Sequence, residues 1–173
     1  VLDPVSIWQN RHRIRFRSAP DGEVLHGLPE VVFRLPDCAS HVAEGERTAR
    51  ILLADDFCIL DGRRHFVRVT LPAPVIGYAN DVFTWGVWAE VASTSFNLYW
   101  DQFGEDDNSS LAPFKGRLAN AISGYPRSLG LSGRIEPSSS GERPRMTLLA
   151  RKHPLARAQR DGITPQTAVA HAQ

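Results

Sequence analysis

The dipeptide Asp61-Gly62 stands between two apolar runs, Phe57–Leu60 and His65–Leu71, and limits the folding options of the chain more sharply than any other feature. Asp and Gly accept the left-handed backbone that a tight hairpin turn needs, so the flanking runs are predicted to pair antiparallel. A third run, residues 82–91, is the most strand-like in the chain, with β-branched and aromatic residues throughout. Strands in hairpin order, without a regular alternation of strand and helix, argue against a doubly wound parallel sheet.

The remaining segments fit round that core. Arg11, Arg13, Arg15 and Arg17 alternate with His12, Ile14 and Phe16, which predicts a half-buried or edge strand carrying four charges on one face. Ala19-Pro20-Asp21-Gly22 is a turn signal, and Val31-Val32-Phe33 is a short apolar piece before Pro36. Ser40 as N-cap, Glu44 and Glu46 early, and Arg47 and Arg50 late predict a helix over 40–54. Pro72 and Pro74 predict an end to the strand begun at His65. Ser93-Thr94-Ser95 predicts the cap of a helix bearing Phe96, Tyr99 and Trp100. An acidic loop over 104–113, a short helix or turn over 114–122, and strands over 129–135 and 145–150 follow. A helical turn covers 155–159, and Thr164 with Pro165 starts a last helix. The expected fold is a single α+β domain over 1–173, with residues 1–10 set apart as a flexible or non-native lead-in. It holds a mainly antiparallel sheet of about five to six strands with a few helices packed on it.

Charge and cysteine usage exclude several classes. The formal net charge is +1, so no global field draws in nucleic acid or an anionic membrane. Of 20 basic residues only Lys115 and Lys152 are lysine, and the arginines are scattered along the chain, which reads as a compositional habit. Cys38 and Cys58 are too few for a disulfide framework or a zinc site of their own and are expected as reduced thiols in a cytoplasmic protein. The chain has no apolar run of the roughly 18–20 residues that span a bilayer, and its start shows no signal-peptide pattern.

Motifs for chemistry are absent. There is no G-x-S-x-G elbow, Walker loop or Rossmann fingerprint, so the reading leans away from an enzyme, and no cofactor is expected. His65 and His153 lack the close spacing of a helix-borne metal pair, and turn chemistry accounts for Asp55, Asp56 and Asp61; no metal is expected. The aromatic group Phe83, Trp85, Trp88, Phe96, Tyr99 and Trp100 is the most distinctive feature. Trp85 and Trp88 fall on opposite faces of a strand, with Gly86 between them as a bulge or a point of close approach. The group serves either as core or as a groove for a partner or ligand. His153 precedes Pro154 and helps set a turn or a site, and Arg157, Arg160 and Asp161 make an anion pocket or an ion-pair network. Glu105-Asp106-Asp107 is a solvated loop or a contact for a basic partner. The candidate binding residues are therefore Trp85, Trp88, Tyr99, Trp100, His153 and Arg160.

Several of these segments together carry a resemblance. They are Asp56-Phe57-Cys58-Ile59-Leu60-Asp61-Gly62, Phe83-Thr84-Trp85-Gly86-Val87-Trp88, Gly124-Tyr125-Pro126, His153-Pro154-Leu155-Ala156 and Gln159-Arg160-Asp161-Gly162-Ile163-Thr164. With Phe96, Tyr99 and Trp100, they resemble a bacterial family known as domain of unknown function 2199, over about residues 15–170. The resemblance implies no activity and no catalytic set. Family members often begin with Cys-x-x-Cys-Gly, then a His and Gly-Leu-Pro, like half of a zinc site. Here Ser18 and Asp21 stand in place of both cysteines, before Gly22, His26 and Gly27-Leu28-Pro29, so no such site is expected. The leading expectation is a non-enzymatic protein-interaction module, in one version toxin-neutralising, with a protein partner and neither membrane nor nucleic acid. The alternative is a small-ligand binder or enzyme with a pocket near Trp85, Trp88 and His153.

Overall fold

The structure is a computed structural model that describes residues 3–13, 15–17, 24–26, 31–103, 111–138 and 141–172. Its centre is the predicted hairpin. Strands β5 (Phe57–Leu60) and β6 (Arg64–Pro74) pair antiparallel, and Asp61 and Gly62 take φ of 54° and 64° in the turn. Strand β7 (Val82–Val91) runs antiparallel to β6 along its whole length, from His65 opposite Val91 to Pro74 opposite Val82. Strands β8 (Phe114–Leu118), β9 (Ser132–Glu136) and β10 (Arg145–Leu148) continue the sheet antiparallel. Strand β10 then meets β6 in parallel, Arg145 opposite Thr70, so β6 to β10 close into a five-stranded barrel. Beyond the barrel the sheet extends to β3 (Val31–Val32), parallel to β7, and to β4 (Ile51–Leu53), antiparallel to β5. A separate ribbon pairs β1 (Arg15–Arg17) with β2 (Val24–His26). The fold is α+β with mostly antiparallel strands.

Helices cover the sheet: α1 (Pro4–Gln9), α2 (Asp37–Ser40), α3 (Glu44–Arg50), α4 (Ser93–Gln102), α5 (Pro154–Asp161) and α6 (Pro165–Ala172). As predicted, Thr164 caps α6, its hydroxyl accepting from the Thr167 amide at 3.2 Å. Residues 3–10 also pack on the fold. Asp3 caps α1, Trp8 is 3 % exposed within the main core, and its indole N–H donates to Asp81 at 3.2 Å.

Four local expectations fail for identifiable reasons. Arg11–Arg13 form a 3-10 turn, because Arg11 turns back to bond the Trp8 carbonyl and pairs with Asp81 at 2.7 Å. The arginine stripe is thereby broken at its start, and Ile14 and the turn 19–22 lie outside the described residues. Ser40 ends the separate helix α2, and the helix predicted over 40–54 is shorter, α3 over Glu44–Arg50 with Ala43 as its N-cap. It ends at Arg50 because Ile51–Leu53 pair with β5 and the Arg50 guanidinium is held on Asp61 at 2.8 Å and 2.9 Å. The segment 114–118 is a strand and not a helix; its alternation of Phe114, Gly116 and Leu118 with Lys115 and Arg117 is period two. Ser93–Ser95 form the first turn of α4, whose N-cap is Ala92, without a side-chain cap.

The prolines do not stop β6, and the reason decides how the barrel closes. Along β6 the amides of Arg68 and Thr70 point away from β7, to the carbonyls of Asp56 and Pro144, at 2.9 Å and 2.8 Å. Pro72 and Pro74 share that orientation, so the missing N–H groups fall where β10 has already diverged and no ladder partner exists. The gap is filled from α5. The Gln159 amide donates to Met146 O at 2.9 Å and Pro72 O at 3.4 Å, and its carbonyl accepts from Leu148 N at 2.9 Å. Pro74 O accepts from Ile163 N at 2.8 Å. One side chain thus substitutes for a stretch of missing ladder.

Inside the barrel Gly116 faces Gly133 across β8 and β9. A Cβ on Gly116 would lie 2.6 Å from Ile135 Cδ1, and one on Gly133 would run into Met146. The two glycines leave the space that Ile135 and Met146 fill, both wholly buried.

Replacing Gln159 by Ala leaves a strand amide and two carbonyls short of partners, and is expected to destabilise the fold by about 2–4 kcal/mol in urea unfolding. Gln159→Glu should lose more at neutral pH, since its carboxylate faces two carbonyls. That setting raises the folded pKa of the new acid, so its extra loss should shrink as pH falls through the raised value and be gone once pH is below the ordinary carboxylate range. A loss below about 0.5 kcal/mol for Gln159→Ala would show that the closure does not depend on it.

Candidate functional site

Strand β7 sorts the tryptophans by alternation, and its register past Gly86 is unbroken. Gly86 is therefore a point of close approach and not a bulge, with Val32 Cγ2 3.3 Å from where its Cβ would lie. Trp85 and Trp88 are both fully buried, on opposite faces and in different core clusters. Trp88 packs with Phe66, Cys58 and Leu60, donates its indole N–H to Phe33 O at 3.0 Å, and carries the Arg68 guanidinium 4.6 Å above its ring. Its backbone amide donates to Asn120, whose own amide group reaches Leu35 O and Asp37, each at 2.9 Å. Arg68 is 9 % exposed with its Nε unpartnered, and burial lowers its pKa, with Arg143 adding to the effect.

Trp85 sits among Phe83, Tyr125 and His171. Its ring centroid lies 4.8 Å, 6.0 Å and 5.2 Å from theirs, and Tyr125 stacks on His171 at 5.5 Å. The Trp85 indole N–H is buried without a hydrogen-bond partner. Burial holds the His171 imidazole below the ordinary histidine range and the Tyr125 phenol above its own.

Tyr99 and Trp100 belong to a different arrangement, built on Phe57. This ring is 3 % exposed and is the hub of four aromatic contacts from α4 and its end. Phe96, Tyr99, Trp100 and Phe103 approach it at 5.4, 5.6, 4.6 and 4.8 Å. Phe96 and Tyr99 are buried, and desolvation pushes the Tyr99 phenol up to about 12. Trp100 and Phe103 lean on the same hub yet are 47 % and 48 % exposed. Edge strand β4 adds Leu52, 58 % exposed, opposite Ile59 and so on the same sheet face as Phe57. Asp101 follows Trp100 on α4, exposed and without an ion pair among the described residues, whereas Asp56, near Tyr99, is paired with Arg143 at 2.7 Å. The face presents rigid, half-exposed aromatics. The segment Glu105-Asp106-Asp107 that follows Phe103 lies outside the described residues.

His153 and Arg160 stand at the two ends of α5. His153 is its N-cap: Nδ1 accepts from Leu155 N at 3.1 Å while Nε2 meets Pro126 O at 3.0 Å, so a neutral ring with its proton on Nε2 satisfies both bonds. The turn-setting role predicted for a His before Pro is what this geometry provides. Arg160 is exposed and pairs with Asp161 at 2.7 Å. It also lines a groove of about 500 Å³ between α5 and the outer face of β10, together with Arg145 and Arg151. The sequence reading missed this convergence. Its trace is the stretch 143–160, which holds Arg143, Arg145, Arg151, Lys152, Arg157 and Arg160 and no acid.

Cys38 and Cys58 are free thiols. Desolvation pushes Cys58 up to about 11, with Cys38 nearby adding to it. Among the described residues no three His, Cys, Asp or Glu side chains converge as metal ligands would. Ser18, Asp21 and Gly27–Pro29 lie outside the described residues, and His26 closes β2. No described helix is long and apolar enough to cross a membrane.

The profile of one family, described as "Uncharacterized protein conserved in bacteria (DUF2199)", matches residues 20–163. No curated protein and no solved structure matches the chain.

The Trp85 cluster makes stability depend on pH in a defined direction. Because the folded His171 is held below its ordinary value of 6.5, the unfolded chain binds the proton more readily. The stability contributed by the neutral ring is present above that value and is lost as pH falls beneath it. Urea unfolding at pH about 7.5 and about 5.5 should show a smaller pH step for His171→Phe than for the natural chain. Equal steps would remove His171 as the cause.

Proposed function

The chain belongs to this bacterial family of uncharacterised proteins, and on that premise we propose that it is a non-enzymatic protein-interaction module acting in the cytoplasm. The observation that carries the reading is the pair Trp100 and Phe103, half-exposed yet fixed against the buried Phe57 ring. Anchors of this kind lose little side-chain freedom on binding and dominate interface energetics. The partner is a protein with a basic contact surface. Asp101 follows Trp100, exposed, and the chain continues from Phe103 into Glu105-Asp106-Asp107, so a basic face gains both burial and charge complementarity. The free thiols Cys38 and Cys58 suit a reducing compartment. In its narrower form the module neutralises a toxin enzyme by covering such a surface.

A second reading, a small-ligand pocket near Trp85, Trp88 and His153, has the unpartnered buried indole N–H of Trp85 in its favour. It is weaker because Trp88 lies on the other sheet face and both His153 ring nitrogens already have partners.

Affinity purification from the native host should compare the natural chain with the double variant Trp100→Ala/Phe103→Ala, each checked for its melting curve. The reading expects one stoichiometric partner with a basic surface, bound less tightly at higher salt, and a loss of more than about 2 kcal/mol of binding in the variant. If that partner is an enzyme, its activity should fall on binding. Capture that survives the double variant, or no partner at all, would overturn the assignment.

A further inference from the structure

Away from the aromatic face, the groove between β10 and α5 gathers three arginines; the acids beside them are Asp161, paired with Arg160 at 2.7 Å, and Glu136, opposite Arg145 on β9 and paired with Arg134 at 3.2 Å. Arg145 and Thr147 form the outward row of β10, Leu149 and Arg151 follow the strand, and Arg160 projects from the last turn of α5. The lining contains no Asp or Glu. Arg160 has one carboxylate, that of Asp161 beside it, and neither Arg145 nor Arg151 holds an ion pair among the described residues. Several arginines elsewhere are matched locally, Arg50 with Glu46 and Asp61, Arg64 with Glu90 and Arg143 with Asp56, whereas the groove sets Arg145 and Arg151 around one cavity with Arg160. The chain as a whole is nearly neutral, so this concentration is local.

From these observations we propose that the groove is a binding site for a small phosphate ester, its phosphoryl group held by Arg145, Arg151 and Arg160. Three guanidiniums from separate positions suit the three oxygens of a phosphate monoester better than the two of a carboxylate, and each offers a planar fork of donors. A volume of about 500 Å³ exceeds what a bare ion needs. Leu149, 51 % exposed, and Ala156 give the rest of the ligand an apolar wall. The floor is rigid, because the Gln159 amide that lines it is committed to Met146, Leu148 and Pro72. The groove shares no residue with the aromatic face.

Calorimetric titration of the whole chain with inorganic phosphate, pyrophosphate and phenyl phosphate tests this. The expected result is saturable one-to-one binding, tightest for phenyl phosphate and weakened at least about tenfold in Arg145→Gln/Arg151→Gln. The control Arg63→Gln, in the exposed hairpin turn, should bind like the natural chain. Asp161→Asn, which frees Arg160, should tighten binding roughly threefold. All four positions are exposed, so melting curves should stay close to that of the natural chain. Absence of saturable binding, or equal weakening in Arg63→Gln, would overturn the proposal. So would retention on heparin without binding of any of the three probes, which would point to an extended polyanion instead.

Discussion

The closure of β10 onto β6 is the constraint on which the rest depends. Five strands can seal a barrel only if the last meets the first, and here the two share a single register pair before they diverge. Two prolines in β6 remove the amides that a continuing ladder would have used. The chain answers with a side-chain amide: Gln159 offers a carbonyl to one strand and an N–H to both. Helix α5 is thereby set on the seam by hydrogen bonds as well as by Leu155, Ala156 and Ala158. Everything α5 displays outward, including Arg160, takes its position from that seam.

The aromatic residues divide between holding the fold and meeting solvent. Trp85 and Trp88 anchor the two sides of one strand and leave nothing at the surface. Phe57 does the reverse, since its burial gives Trp100 and Phe103 a rigid backing while one side of each stays open. The family gives no activity to match against these features, so their meaning rests on geometry and charge.

Much of the fold was legible because its central strands satisfy local rules. Asp61-Gly62 stated the hairpin, the run 82–91 is a strand to the residue, and Thr164-Pro165 stated the last helix. What escaped the sequence was decided by partners distant along the chain. Nothing near Pro72 says that its missing amide falls opposite a gap, because that gap is made by residues 145–159. Ile51–Leu53 would extend a helix by local preference but are drawn out as β4 by pairing with β5. The segment 114–118 did carry its signal, a period of two obscured by a glycine that counts as an inward residue. Tyr99 and Trp100 do lie on one helix, as their spacing predicted, but which of them reaches solvent depended on Phe57. The arginine groove stayed hidden because its members look dispersed until a strand and a helix are laid side by side.

Helices α1 and α6, from opposite ends of the described chain, pack on one another. Trp8 and Val169 belong to the same core cluster, and neither helix is longer than eight residues. Helices this short have little stability of their own, so each is held by the contact with the other and with the core beneath. That contact closes a loop containing nearly the whole chain, which places it among the last to form during folding. The two helices therefore constitute one opening unit: amide exchange in α1 and α6 should occur by a shared local unfolding event, at lower free energy than the barrel beneath them.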